Sequence, residues 1–294
     1  MSNTENNRDE ASNNNTNKVP QDQALQKCMS SIKHKFLVMS SQGGVGKTSV
    51  IVNLAVALSK RGLKVGLMDA NFHGPDIYRM LGLQPAISSS SDQPFIPTAY
   101  SDNLEVASIE FVMKDQDGTG VWGKPPEVSD IRRFISRINW GSLDYLLVDT
   151  PPGPGEELLT MIQAIPDGKT IIVTAPNRIG RDRAQKMINF FSKEKRPIFG
   201  WIENMQGFLC QHCGQRQEMF STGSAGRAIF LMDIPFLGRI PIDPHWGESA
   251  DTGEALLEIY PSSQVAEAFN LIVEKIVEGN KVNLPEDRST YYDL

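Results

Sequence analysis

The sequence is poor in cysteine, with three in 294 residues, too few for the disulfide framework of a small secreted domain. It has no run approaching the ~20 apolar residues a membrane span requires, and its N-terminus lacks the apolar core of a signal peptide. A cytoplasmic protein with no membrane partner is expected. Positive charge is in deficit as well, since 29 Lys and Arg face 35 Asp and Glu for a formal charge of −6. That balance offers no general attraction to nucleic acid or anionic lipid, and nucleic acid is not expected as a partner.

Apolar residues are also scarce at the start of the chain, where Asn occupies seven of the first seventeen positions. Such a composition cannot bury enough apolar surface to offset its ordering entropy, so residues 1–27 are expected to form a disordered tail. Residues 281–294 read as a second tail, and Ser88 to Asp92 as a polar loop. What remains, 28–280, is long enough for one large core. Within it short apolar runs, Phe36 to Met39, Lys64 to Met68, Leu104 to Ile109, Leu143 to Val148, Thr170 to Thr174, Ile198 to Ile202 and Phe236 to Ile240, predict strands. Helical patterns lie between several of them, over Thr48 to Arg61, Ser129 to Ile138 and Arg181 to Lys193, and Ser263 to Glu278 forms an amphipathic helix near the end. Continuous apolar strands alternating with helices predict a doubly wound α/β fold, a mostly parallel sheet with helices on both faces.

The first strand runs into Ser40-Ser41-Gln42-Gly43-Gly44-Val45-Gly46-Lys47-Thr48, and an apolar helix follows. Glycines let successive backbone N–H groups face a phosphate at the helix N-terminus, lysine adds a point charge, and the hydroxyl is a magnesium ligand. A P-loop for a purine triphosphate is therefore expected, with Ser41 where the first glycine of the pattern normally stands. A second feature closes the Leu143 to Val148 strand: Asp149, followed by Thr150-Pro151-Pro152-Gly153. A carboxylate there can hold a magnesium-bound water, and the Gly153 N–H can turn toward a γ-phosphate.

The third feature is Cys210-Gln211-His212-Cys213-Gly214. Two thiolates at this spacing can share one metal or cluster, although Cys-x-x-Cys also serves redox chemistry. Two ligands do not complete a tetrathiolate site. Without outside ligands a second chain must add its own pair, giving a symmetric dimer with an iron-sulfur cluster or zinc on its axis. His212 reads as a solvated loop residue. His34, His73 and His245 show no metal spacing, and Trp122, Trp140, Trp201 and Trp246 read as packing residues. Cys28 has no partner in the sequence.

Together the P-loop Gly43 to Thr48, Asp69-Ala70 with Gly74-Pro75, Trp140-Gly141 through Asp149, Pro151-Pro152-Gly153, Glu203-Asn204-Met205, Cys210 to Gly214 and Pro235 to Pro241 resemble the Mrp/ApbC family over about residues 30 to 278. These are MinD-like P-loop ATPases that act as iron-sulfur cluster carriers or scaffolds. The resemblance implies an ATP-binding homodimer bridged by a cluster, a 4Fe-4S one, on Cys210 and Cys213 of each chain, delivered to apo iron-sulfur proteins. It implies nucleotide contacts from Gly43, Gly44, Val45, Gly46, Lys47, Thr48, Ser49, Gly153 and Asn204. It further implies magnesium held through Thr48 and Asp149, and catalytic parts for Lys47, Asp69 and Asp149. The sequence departs from the family where it has Gln42 for a lysine that reaches the partner's phosphates, and Asn71 for an aspartate that positions the attacking water. Slow hydrolysis follows, because phosphoryl transfer depends on positioning and electrostatics. The alternative is a MinD/ParA-like nucleotide-dependent switch without a cluster.

Overall fold

The computed structural model describes residues 18–40, 42–84, 94–110, 128–176, 178–210, 212–213, 215–217 and 234–279. Nine described strands form one sheet: β1 Ile32–Ser40, β2 Val65–Asp69, β3 Thr98–Ser101, β4 Leu104–Ser108, β5 Leu143–Asp149, β6 Lys169–Thr174, β7 Ile198–Leu209, β8 Arg216–Gln217 and β9 Phe236–Ile242. Their order is β3-β4-β2-β5-β1-β6-β7-β8, with β9 also paired to β7. Pairing is parallel except for β3 with β4 and β7 with β8. The central strands are buried on both faces, which is why they read as unbroken apolar runs.

Nine described helices accompany the sheet: α1 Lys18–Ser30, α2 Lys47–Ser59, α3 Ile77–Met80, α4 Val128–Arg137, α5 Glu156–Ala164, α6 Arg178–Lys193, α7 His245–Thr252, α8 Leu256–Ile259 and α9 Gln264–Val277. Alternation along β1 sorts them into layers. Phe36 and Val38 face the core that holds α2 and α9. Leu37 faces the opposite side with α1, α4 and α5, and Met39 faces it with α5 and α6. This is the doubly wound sandwich the sequence predicts.

The expected tail needs correction at its inner end. Residues 18–30 are helical, and Leu25 and Met29 are buried in the core beside α4. Asparagine stops at Asn17, and a Leu and a Met four positions apart put two apolar side chains on one helix face. Cys28 lies on the same helix, donates to Ile138 O at 3.1 Å, and is pushed up to about 11 by burial. Residues 1–17, Ser88 to Asp92 and 281–294 lie outside the described residues. On the α2 side, the turn after α3 meets the turn after α7 backbone to backbone. A Cβ on Gly82 would lie 2.8 Å from Gly253 O, and one on Gly253 would lie 2.7 Å from Gly82 Cα.

Candidate functional site

The C-terminal ends of β1, β2 and β5 lie on one edge of the sheet, where β5 brings Asp149 beside both Val38 of β1 and Asp69 of β2. The chain leaves β1 for β2 on one side and later enters β6 on the other. That crossing is the position at which open α/β sheets bind ligands. The P-loop fills it. Ser41 lies outside the described residues; Gln42 is half-buried, and Gly43 and Gly44 are exposed, with nothing within 4 Å of a Cβ built on either. Gly46 caps α2 with φ 77° and ψ 26°, in the left-handed region. A Cβ there would be strained, and would also lie 2.5 Å from the Asn204 amide nitrogen.

Lys47, 6 % exposed, is ion-paired with Asp149, whose other oxygen accepts from Thr48 Oγ1 at 2.9 Å. Burial pushes the Asp149 carboxyl up, and the Lys47 charge opposes that push. Asp69 is fully buried. Its oxygens accept from the backbone N–H groups of Asn71 at 3.2 Å and Ile77 at 3.1 Å. Burial, and then the neighbouring Asp149 charge, push Asp69 up to about 8. A single buried lysine cannot neutralise two carboxylates, so both are pushed above the ordinary aspartate range.

Asn71 lies in the turn between β2 and α3. Its amide nitrogen donates to Gly74 O at 3.1 Å, while its Oδ1 is buried and has no partner among the described residues. That oxygen is an open acceptor, suited to a water hydrogen. Gly153 N donates to Ser40 O at 3.3 Å, and Thr150 Oγ1 to Val38 O at 3.0 Å, so the Pro-Pro-Gly turn is tied to the strand that carries the P-loop. Ser49 lies in the first turn of α2, half-buried. Asn204, on β7, donates to Val45 O at 2.8 Å. The open glycine loop, the lysine, the hydroxyl beside a carboxylate and the unpaired Asn71 acceptor form a donor set that fits a magnesium nucleotide.

β7 continues past Asn204 to Leu209, further than the strand expected over Ile198 to Ile202, and turns back into β8 with Phe208 opposite Gln217. Cys210 and Cys213 sit at the tip of this hairpin, where Cys210 N donates to Gln215 O at 3.0 Å. Cys210 is half-buried, and Cys213 and His212 are exposed. Backbone N–H groups of Cys213 and His212, then the Cys213 side chain, hold the Cys210 thiol below its ordinary value, which favours the thiolate that binds metal. Gln211 and Gly214 lie outside the described residues. No group of three His, Cys, Asp or Glu able to hold a metal occurs among the described residues. β7 runs parallel to β1 through β6, so the hairpin projects from the P-loop edge of the sheet. Cys210 is six residues beyond Asn204, a span of at most about 20 Å.

The other histidines lie elsewhere: His73 is 3.5 Å from Glu157, and His245 bonds Asp243 at 2.6 Å and stacks on Tyr260. Trp140 and Trp201 are buried, Trp246 packs against Phe269, and Trp122 is outside the described residues. Two contacts had no signal in the sequence. They are the Asn204 bond to the P-loop and the Glu203 pair with Arg239 at 3.3 Å, each joining residues brought together only by sheet order.

The family described as ParA, NUBPL iron-transfer P-loop NTPase, matches residues 31–277. The chain belongs to this family. The chain is 40% identical over 264 residues to the iron-sulfur cluster carrier protein of Methanocaldococcus jannaschii, covering 89% of this chain and 91% of that one. It is 37% identical to the cytosolic Fe-S cluster assembly factor CFD1 of Kluyveromyces lactis, covering 84% and 92%. Among solved structures it resembles the nucleotide-binding protein of Archaeoglobus fulgidus in complex with ADP, with TM-score 0.68, 34% identity and 80% and 92% coverage. MinD of Pyrococcus horikoshii, complexed with Mg-ADP, gives TM-score 0.61 at 23% identity over 86% and 100% of the two chains, a likeness of fold alone. No described helix of the NTPase is long and apolar enough to cross a membrane.

Proposed function

We propose that this NTPase binds Mg-ATP at the P-loop and carries an iron-sulfur cluster as cargo between two copies of the chain in the cytosol, on Cys210 and Cys213 of each, for delivery to apo-proteins. The observation that carries the reading is a single strand: β7 touches the P-loop through Asn204 and ends in the cysteine hairpin. Two thiols per chain leave a four-ligand cluster half-coordinated, and a second copy supplies the remainder. The relatives' names point to the same cargo.

In this reading the loop from Gly43 to Ser49 wraps the phosphates, and Lys47 divides its charge between Asp149 and the β- and γ-phosphates. Thr48 and Asp149 would hold a magnesium ion, Thr48 through its hydroxyl and Asp149 through a water, and the ion would supply positive charge against the phosphates. The Gly153 N–H, which donates to Ser40 O here, would leave that carbonyl to meet a γ-phosphate, and Asn204, whose amide nitrogen donates to Val45 O, would offer its remaining polar atoms to the base. Asp69 keeps the loop from Asn71 to Ile77 in place through its two backbone bonds. Hydrolysis is slow because Gln42 brings no cation to the partner's phosphates and Asn71 offers water a neutral oxygen instead of a carboxylate.

Reconstitution with iron and sulfide under anaerobic conditions tests the proposal. Wild type should take up a cluster and elute as a dimer. Cys210→Ser and Cys213→Ser should each lose at least about ten times in bound iron while nucleotide affinity stays within about threefold, because different segments build the two sites. Unchanged iron in both variants would sink the carrier reading. A wild type that dimerises on nucleotide and takes up no metal would favour the MinD/ParA-like switch.

A further inference from the structure

The stretch of β7 between the P-loop contact and the cysteines is irregular. Its register against β9 shifts between Asn204 and Phe208, and within that interval Met205 has φ +64° and Gly207 φ +74°. Met205 and Lys195 are the two non-glycine residues with positive φ among those described. A bulky side chain holds that conformation only where its surroundings impose it. Here the surroundings include the core cluster that Met205 packs against and the P-loop. Asn204 donates to Val45 O at 2.8 Å, and a Cβ built on Gly46 would lie 2.5 Å from the Asn204 amide nitrogen and 3.7 Å from Met205 Cε. Two consecutive side chains of β7 are thus seated on the last two residues before α2. Beyond the kink the chain enters the hairpin closed by Cys210 N on Gln215 O. A shift of Val45 and Gly46 on phosphate binding therefore acts at the base of the hairpin, at the point where the backbone changes hand.

We propose that Met205 is a positioning residue for the cysteine pair. Its left-handed backbone, next to the bond from Asn204 to Val45 and with its side chain beside the Cβ-free face of Gly46, makes the setting of Cys210 and Cys213 depend on what the P-loop holds. The inference deepens the carrier reading and rests on it for the identity of the cargo. Its test uses no iron, so the two ideas can fail separately.

The full-length, metal-free protein is alkylated with iodoacetamide, with and without saturating magnesium AMP-PNP, and each cysteine is followed by peptide mass spectrometry. Calorimetry verifies nucleotide occupancy in every variant. In wild type the nucleotide should change the Cys210 and Cys213 rates by about fivefold, a usual size for coupling between sites, while Cys28 serves as the reference. In Met205→Gly, which takes either backbone hand freely, the change should shrink below about twofold. Met205→Leu keeps a bulky side chain on a restricted backbone and should retain the wild-type response. If Met205→Gly does not fold, Met205→Ala, which withdraws the side chain from beside Gly46, carries the same expectation. A wild type whose cysteines ignore the nucleotide would overturn the proposal, as would a Met205→Gly variant that responds as wild type does.

Discussion

Asn71 and Gln42 stand where the resemblance implies an aspartate and a lysine, and the surroundings of Asn71 refine what a carboxylate there would do. Its amide nitrogen already donates to Gly74 O, so a carboxylate at 71 must turn one oxygen away from that carbonyl before it can orient water. The single change Asn71→Asp should therefore gain less than the pair Gln42→Lys with Asn71→Asp, because the new cation and the new carboxylate act on one transition state. The double variant is expected to hydrolyse ATP about tenfold faster than wild type, which is only ~1.4 kcal/mol of barrier. Steady-state phosphate release checks this, and a wild type as fast as the double variant would show that hydrolysis was never weakened. At this scale the sequence displayed the ligand types but not their pairings. Lys47, Thr48 and Asp149 were visible from spacing, whereas the sharing of one carboxylate between the lysine and the hydroxyl depends on β5 lying beside β1.

Among the strands, uniform burial left the plainest signature. β2, β5 and β6 are covered on both faces and read as apolar runs. β3 and β8 are short, antiparallel additions with too few residues for a pattern, and α3 and α8 span four residues each. α1 went unrecognised because its two buried anchors, Leu25 and Met29, sit in an otherwise polar stretch, so average composition concealed the four-residue spacing. If α1 is part of the folded unit, Leu25→Ala and Met29→Ala should each cost about 2 kcal/mol or more, as buried truncations do. Denaturant unfolding would register the loss as a lower midpoint with an unchanged slope. Midpoints equal to wild type would mean that the helix adds nothing to the core.

For the molecule as a whole, the buried carboxylate pair couples stability to pH. Asp69 keeps its proton to about pH 8 in the folded chain, whereas an unfolded aspartate releases it near pH 4. Folding therefore takes up a proton between those values. The stabilisation is fully present below the unfolded value and is lost as the pH rises toward 8. Melting of nucleotide-free wild type should fall in temperature from about pH 5 to about pH 8, and Asp69→Asn should flatten that fall. Parallel slopes for the two proteins would place the titrating group elsewhere. The contact between Gly82 and Gly253 constrains the molecule on a longer timescale, that of sequence change. Each glycine excludes a Cβ by pressing on the backbone of the other, so neither position opens first, and changing both at once places two methyl groups where there is room for none. Relatives that keep this junction must keep both glycines, and a relative that has lost one must have rebuilt the turn that follows α3 or the one that follows α7.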